Sequence, residues 1–216
     1  QGLETGPQDI VYTVTLSGQN NTGSAITFDF TDLGTGTATS VDDYTAVAGA
    51  AQISVSDGAS TGTISVLVID DADFEADTET LNAQISNPSN GDVTITGSDA
   101  TATITDNDAA PTVAFALATD AQTEDQPSQD VQVSLSAISG KTVTVNYAVT
   151  GTATAGGTDH TTVGGTITFN PGDQNFQQQI VGIVDDLLDE ENETIILTLS
   201  NPTNATLGTQ TTHTYT

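Results

Sequence analysis

The chain has 216 residues, of which 29 are acidic and one is basic, so its formal net charge is −28. This charge argues against nucleic acid and anionic membrane surfaces as partners, because both would repel the protein. The sequence contains no cysteine and therefore no disulfide. No apolar run approaches the roughly 20 residues that span a bilayer, which argues against direct membrane insertion. The length fits two domains of ordinary size.

Apolar and small polar residues alternate with a period of two along nearly the whole chain, which predicts β-strands with one buried face. In the first half the predicted buried residues are, in chain order, Ile10, Tyr12, Val14, Leu16, Ile26, Phe28, Phe30, Ile53, Val55, Ile64, Val66, Val68, Leu81, Ala83, Ile85, Ala102 and Ile104. In the second half they are Val113, Phe115, Leu117, Val131, Val133, Leu135, Val143, Val145, Tyr147, Val149, Ile167, Phe169, Ile180, Gly182, Val184, Ile195, Leu197, Leu199, His213 and Tyr215. No segment shows a convincing helical period, so the predicted fold is all-β.

Seven short antiparallel strands per half, joined by Gly, Asn, Asp and Pro turns, are typical of a β-sandwich. The sequence thus predicts two tandem sandwiches, residues 1–108 and 109–216, joined end to end by a short linker that Pro111 stiffens. In the first half no counterpart of the strand from Val113 to Thr119 precedes Glu4, so its first strand is expected to be missing. The second half ends without the acidic triplet Asp106-Asn107-Asp108 that closes the first.

An ordered set of acidic residues occurs once in each half. Glu79 and Glu193 are separated by 114 residues, and so are Asn87 and Asn201. A carboxylate set that recurs at a fixed period indicates a repeated module with a repeated site. Solvated turns are the alternative explanation, because aspartate and asparagine favour turns.

The acidic residues follow predicted strands, and strand ends from separate hairpins converge at one pole of a sandwich. Carboxylates brought together there would raise one another's pKa and oppose folding unless a cation neutralised them. Calcium takes six to eight oxygen ligands in flexible geometry. We therefore predict calcium sites, with Glu79 and Glu193 left outside the primary ligand sets. The predicted ligands of the first pole are Glu4, Asp43, Asp70, Asp71, Glu75, Asp106 and Asp108. Those of the second pole are Glu124, Asp159, Asp185, Asp186 and Glu190.

The same residues lie within a longer ordered pattern. Its pieces in the first half are Gly36-Thr37-Ala38, Asp43-Tyr44, Asp70-Asp71, Glu79-Thr80-Leu81, Ile85-Ser86-Asn87-Pro88 and Ile104-Thr105-Asp106-Asn107-Asp108. Those in the second half are Gly151-Thr152-Ala153, Asp159-His160, Asp185-Asp186, Glu193-Thr194-Ile195 and Leu199-Ser200-Asn201-Pro202. This pattern, which occurs twice and covers nearly the whole chain, resembles the Calx-beta family. His160 stands where the family pattern has tyrosine.

The resemblance implies immunoglobulin-like sandwiches that bind Ca²⁺ at one pole. The family occurs in sodium–calcium exchangers, integrin subunits and long bacterial surface proteins. From this we expect a calcium-stiffened stalk segment of a large bacterial surface protein of adhesin or fibre type, secreted or displayed on the cell surface. Its expected partners are neighbouring repeats of the same polypeptide, with other copies in a fibre as a further option.

Two alternative functions follow from the same residues. One is a calcium-sensing regulatory module, and the other is an adhesive module that binds glycan or protein directly. An enzyme is not expected and no catalytic residue is assigned, since no aromatic platform accompanies the paired carboxylates: the chain has no Trp and four Tyr.

Overall fold

The structure of the protein, a computed structural model, divides into two compact units. The first comprises Gln1–Asp71 with Ala76–Asn107, and the second comprises Ala72–Glu75 with Asp108–Thr216. The residues that the structure describes are 2–3, 9–49, 51–76, 78–126, 128–187 and 190–216. Across these ranges the regular elements are strands, which confirms the all-β prediction. None of the described residues belongs to a helix long and apolar enough to cross a membrane.

The first unit is a sandwich of two sheets. Its strands are β1 (Gly2–Leu3), β2 (Ile10–Thr15), β3 (Ile26–Asp32), β4 (Gln52–Val55), β5 (Thr61–Val66), β6 (Glu79–Ser86) and β7 (Asp99–Thr105). One sheet has the strand order β1-β7-β6-β3-β4, and the other pairs β2 with β5. The inward residues of both sheets form one core, in which Ile10 and Tyr12 of β2 lie with Phe28 and Phe30 of β3. Outward positions carry polar side chains, as expected for strands with one buried face.

The second unit repeats this architecture, and its smaller sheet has four described strands where that of the first unit has two. Its strands are β8 (Thr112–Phe115), β9 (Thr119–Asp120), β10 (Ser128–Leu135), β11 (Val143–Gly151), β12 (Gly165–Phe169), β13 (Asn175–Gly182), β14 (Ile195–Thr203), β15 (Thr206–Leu207) and β16 (Thr212–Tyr215). The two sheets have the orders β13-β10-β8-β15 and β12-β11-β14-β16-β9. Val113, Val133 and Leu197 are fully buried between them. The predicted pair of sandwiches is therefore confirmed.

The long ladders are antiparallel, and short parallel pairings close the sheet edges. Strand β1 pairs in parallel with β7, and β9 pairs in the same way with β16. Strand β15 pairs in parallel with β8. Gly2–Leu3 in the first unit thus occupies the place that Thr119–Asp120 occupies in the second.

The predicted inward face of β13 is correct only in part. The sequence predicted Ile180, Gly182 and Val184 on the buried face; Ile180 packs against the core, but the fully buried residue is Val181. The register between β10 and β13 shifts between Gln129 and Asp130 and leaves Ile180 as an extra residue on β13. Such a β-bulge reverses the alternation beyond it, so a strict period of two assigns the wrong face.

The predicted inward position of Leu117 is also wrong. Strand β8 ends at Phe115, two residues earlier. The Leu117 side chain is consequently 60% exposed.

The short segment Ala72–Glu75 packs with the second unit although β5 and β6 of the first unit flank it in sequence. The Phe74 carbonyl accepts hydrogen bonds from the Gly140 N–H at 3.0 Å and the Ser139 hydroxyl at 3.2 Å. The Lys141 ammonium lies 3.9 Å above the centre of the Phe74 ring. This cation–π contact uses the one basic side chain in the sequence.

Candidate metal centre

The repeated Gly-Thr-Ala and Glu-Thr motifs contact each other in both units. In the first unit the Thr80 N–H donates to the Thr37 hydroxyl at 2.9 Å, and the Ala38 N–H donates to the Thr80 carbonyl at 3.1 Å. In the second unit the Thr194 N–H donates to the Thr152 hydroxyl at 2.9 Å. Each pair fixes the loop after the Gly-Thr-Ala motif against the start of the strand that carries the glutamate.

The glycine in each motif is required by this close approach. A Cβ at Gly36 would lie 1.9 Å from the Thr80 carbonyl oxygen. A Cβ at Gly151 would lie 2.0 Å from the Thr194 carbonyl oxygen, and Gly151 also has a φ of +139°. Only a residue without a side chain lets the loop backbone approach this closely.

The first unit brings Asp43 and Glu79 together. The Asp43 side chain is buried, with 3% of its surface exposed. Its carboxylate accepts hydrogen bonds from the backbone N–H and the hydroxyl of Thr39. Glu79, half-buried at the start of β6, places a carboxylate oxygen within 4.8 Å of an Asp43 oxygen. Two carboxylates this close favour a shared proton or cation over two bare charges.

Backbone pairing places further acidic residues at the same end of the first unit. The Ile69 N–H donates to the Asp43 carbonyl at 2.9 Å, and Ile69 directly precedes the exposed pair Asp70-Asp71. Glu79 pairs across the sheet with Ile104, two residues before Asp106. Strand pairing therefore directs three acidic segments toward one pole of the sandwich.

The predicted first-pole set does not fall wholly within the first unit. Asp43, Asp70, Asp71 and Asp106 belong to it, whereas Glu75 and Asp108 belong to the second unit. Glu4 lies outside the described residues. The first-pole ligand assignment stays a prediction.

Tyr44 follows Asp43 and anchors the same loop. Its hydroxyl donates to the Asp32 carboxylate at 2.6 Å, and its ring is buried. Burial, together with the hydrogen bond and the nearby negative charge of Asp32, raises the pKa of Tyr44 far above its usual range. The phenol thus stays neutral and holds the loop at physiological pH.

The second unit builds the equivalent loop around Asp159. The Val184 N–H donates to the Asp159 carbonyl at 3.0 Å, as the Ile69 N–H does to the Asp43 carbonyl in the first unit. The Asp159 carboxylate accepts a hydrogen bond from the Thr154 N–H. That bond holds the pKa of Asp159 below its usual range.

A cavity of about 340 Å³ lies at this pole of the second unit. Glu124, Asp159, Glu190 and Glu193 line it. The hydrogen bond to Asp159 is the main cause that raises the pKa of the Glu193 carboxyl. Partial loss of hydration raises the pKa of Glu190, and repulsion from Asp159, Asp186 and Glu124 adds to it. The carboxylates are thus close enough to disfavour one another's charged form.

The structure brings most of the predicted second-pole residues together. Glu124, Asp159 and Glu190 line the cavity, and Asp186 acts on Glu190 through its charge. Asp185 is exposed beside Asp186. The second-pole ligand assignment also stays a prediction.

Glu79 and Glu193 were left outside the primary sets and yet occupy central positions. The signal that could have placed them is the Thr next to each glutamate, because Thr80 and Thr194 bond the loop that carries the aspartate. Their donor chemistry fits calcium, since every candidate ligand is a carboxylate oxygen and the carboxylates are crowded.

Comparison with known proteins supports the family assignment. The Calx-beta domain profile matches residues 5–108 and 106–214. No curated protein matches the sequence significantly.

Three solved structures are similar at low identity. CBD12 from CALX1.2 is 20% identical, with 97% of this chain and 78% of that chain covered and a TM-score of 0.42. The calcium binding domain CBD12 of CALX1.1 is 21% identical, with 95% and 77% covered and a TM-score of 0.42. The apo-form Calx CBD1 domain is 21% identical, with 49% and 95% covered and a TM-score of 0.44.

The two profile matches together cover nearly the whole chain, and each contains one Gly-Thr-Ala motif, one Glu-Thr motif and one acidic cluster. The chain therefore belongs to the Calx-beta family, whose domains are calcium-binding regulatory or structural modules.

Proposed function

We propose that the chain is a calcium-stiffened stalk segment of a large extracellular repeat protein, of the adhesin or surface-fibre type. The observation that carries this proposal is the duplicated acidic pole. Each unit aligns an aspartate loop with a glutamate strand through the same threonine hydrogen bond, and in each the carboxylates lie at one end of a sandwich.

The proposed mechanism is electrostatic. With a net charge of −28 the folded chain repels itself, and the repulsion is greatest where carboxylates converge. A bound calcium ion supplies two positive charges and accepts several oxygen ligands at once. The ion then holds the loops of Asp43 and Asp159 to Glu79, at the start of β6, and to Glu193, just before β14. This restricts the motion of the loops at each pole.

The ligand sets that we propose are those predicted from the sequence, with Glu79 and Glu193 added. Glu79 joins because its carboxylate lies within 4.8 Å of that of Asp43. Glu193 joins because it shares a hydrogen bond with Asp159. Neighbouring repeats of the same polypeptide are the proposed partners, with other copies in a fibre as a second class, and the protein is proposed to act outside the cell.

Calcium affinity separates the stalk from the sensor. A structural module in an extracellular medium works with dissociation constants of roughly 0.1–1 mM, whereas a cytosolic sensor needs roughly micromolar sites. Titration calorimetry of the full chain should therefore give weak sites that are filled in millimolar calcium. Micromolar sites would favour the sensor, and no binding heat would overturn the calcium role of both.

A matched pair of variants tests the location of the second site. Asp159→Asn removes a charge in the acidic cavity. Asp173→Asn removes the same charge from an exposed turn that precedes β13. This turn is at the opposite end of β13 from the Asp159 loop, because Gly182, the last residue of β13, accepts a hydrogen bond from the Thr161 N–H next to that loop. We expect Asp159→Asn to weaken the second-unit site by at least about tenfold, because calcium affinity follows the ligand charge. Equal loss in both variants would mean that diffuse charge, not a site, attracts the ion.

A further inference from the structure

The loop of residues 39–43, which carries Asp43, contains a valine in a backbone conformation that favours glycine. Val41 has a φ of +89°, within the left-handed region. There the Cβ atom of an L-residue comes too close to the following carbonyl oxygen, and a β-branched residue is an outlier. Such a residue persists only where the surrounding structure holds it in place. The backbone of this loop is therefore strained at Val41.

The second unit reaches the same backbone conformation with a glycine in place of the valine. Gly157 has a φ of +92°. The Val41 N–H donates to the Tyr44 carbonyl at 2.8 Å, and the Gly157 N–H donates to the His160 carbonyl at 3.0 Å. Val41 and Gly157 are equivalent, because Tyr44 and His160 each directly follow the aspartate of their pole. Glycine adopts this φ without strain, so the two poles share one geometry and differ in its cost.

The Val41 side chain gains little burial that could offset the strain. It is 71% exposed, whereas Asp43, two residues later, is 3% exposed. The closed loop therefore buries a carboxylate and leaves an apolar side chain in solvent. Hydrogen bonds around Asp43 oppose the strain: its N–H donates to the Thr39 carbonyl at 3.1 Å, and its carboxylate accepts from the N–H and the hydroxyl of Thr39.

A second force acts to open this loop when no cation is bound. A carboxylate oxygen of Asp43 lies within 4.8 Å of one of Glu79, and bare charges at this distance repel each other. A cation between them attracts both and favours the closed loop. The Tyr44 hydroxyl holds the end of the loop through its 2.6 Å hydrogen bond to Asp32, so that opening is confined to residues 39–43.

We propose that Val41 makes the loop 39–43 a strained latch, which opens locally without a cation and closes when calcium binds; this rests on the calcium role proposed above. Calcium then closes the loop against the strain, so the first pole binds the ion more weakly than the same ligands would in a relaxed loop. In the second pole Gly157 removes this contribution. Val41 is thus a positioning residue, which sets the affinity of the first pole through the loop backbone.

A reciprocal exchange of the two residues tests the strain. Val41→Gly removes it from the first loop. Gly157→Val introduces it into the second loop without a clash, because no atom outside its chain neighbours lies within 4 Å of a Cβ added there. Hydrogen exchange, measured by NMR on the full chain with chelator, reports local opening of each loop. We expect the Asp43 amide to exchange roughly fivefold or more slowly in Val41→Gly, and the Asp159 amide to exchange faster by a similar factor in Gly157→Val.

Two control variants separate the strain from other effects of the substitution. Val41→Ala keeps a Cβ atom, and the Asp43 amide should exchange nearly as fast as in the wild-type chain. Ser40→Gly adds glycine flexibility to the same loop at an exposed residue whose φ is not positive, and should not slow this exchange. If Val41→Ala slows the exchange as much as Val41→Gly does, the side-chain branches and not the backbone open the loop, and the proposal is overturned.

A calcium titration, followed by the Asp43 and Asp159 amide signals, links the strain to the site. Val41→Gly should bind calcium at the first pole roughly threefold or more tightly than the wild-type chain, and Gly157→Val should bind it more weakly at the second pole by a similar factor. Slower exchange in Val41→Gly with an unchanged calcium affinity would overturn the latch. So would unchanged exchange in a chain that binds calcium, and this outcome would leave the proposed function intact. A wild-type chain that binds no calcium would overturn the proposed function and the latch together.

Discussion

The two acidic poles are built by the same motif and differ in the side chain that anchors the aspartate loop. In the first unit Tyr44 reaches out of the loop and donates to Asp32. In the second unit His160 occupies that position, is 3% exposed, and its Nδ1 atom has no hydrogen-bond partner. The Tyr44–Asp32 hydrogen bond therefore anchors the first loop, whereas the second loop has no equivalent bond from His160 Nδ1.

The carboxylates of the two poles also differ in their surroundings. Asp43 is buried and accepts two hydrogen bonds from Thr39. Glu190 and Glu193 line an open cavity and have raised pKa values. The second pole combines this carboxylate repulsion with a loop that lacks an anchor like that of Tyr44, so its stability should depend more strongly on a bound cation. One motif thus supports both a pole with an internal anchor and a pole that relies more on its ligand.

The largest expected effect comes from the glycine that both poles share. Gly36→Ala would place a Cβ 1.9 Å from the Thr80 carbonyl oxygen, and Gly151→Ala would place one 2.0 Å from that of Thr194 at a φ of +139°. We expect each to destabilise its own unit by about 3 kcal/mol or more, with Gly151→Ala the worse. Calorimetric unfolding checks this, with Gly18→Ala as the control because no atom lies within 4 Å of its added Cβ. A small loss in both glycine variants would show that the Thr contacts are not the basis of the pole.

Calcium removal should separate the two poles next. A ligand that binds only the folded state stabilises it by mass action, by about 1–3 kcal/mol when its concentration is roughly 10 to 100 times the dissociation constant. Chelator should lower the melting temperatures of both units, and that of the second unit by more. Identical melting curves with calcium and with chelator would contradict the calcium sites, and a larger loss in the first unit would contradict the comparison.

Local periodicity was enough to predict most of the fold. Alternation identified the inward faces of β2, β3, β10, β11 and β14, because each of these strands buries one face continuously. It failed at Val181, where the bulge depends on the partner strand, and at Leu117, where the strand ends early. The residue pattern of one strand reveals neither a bulge that its partner strand causes nor the point at which the strand ends.

The candidate site was likewise predictable only where it depends on local sequence. Asp43 and Asp159 follow a short motif that sets the loop locally. The central positions of Glu79 and Glu193 arise from bonds between segments 42 or 43 residues apart, through Thr80 and Thr194. The Tyr44 anchor likewise depends on a residue distant in sequence, Asp32 at the end of β3.

Neutralising one glutamate in each pole should sharpen the comparison further. Glu193→Gln keeps a group that donates to Asp159 and removes a charge from the crowded cavity. We expect a higher melting temperature of the second unit without calcium and at least about tenfold weaker calcium binding there. Glu79→Gln is the matched change in the first unit, where the Tyr44–Asp32 hydrogen bond anchors the Asp43 loop and the gain in calcium-free stability should be smaller. Thermal unfolding with chelator and calcium calorimetry measure the two effects, and a loss of calcium-free stability in Glu193→Gln would contradict the repulsion.

The smallest expected effect is a pH dependence confined to the second pole. Glu190 and Glu193 have raised pKa values in the folded state, so their contribution to stability is complete below the unfolded value of about 4.3 and is lost as pH rises through the folded value. Without calcium, lowering the pH from about 7 toward 5 should therefore raise the melting temperature of the second unit. Asp159, whose pKa is lowered, acts in the opposite sense, but its contribution is lost only below about pH 4.

The difference between the wild-type chain and Glu193→Gln isolates the glutamate, because protonation of other groups is common to both. A pH profile that is equally steep in the variant would assign the effect to residues outside the cavity. With calcium bound the slope should reverse, since protons then compete with the ion for the same oxygens.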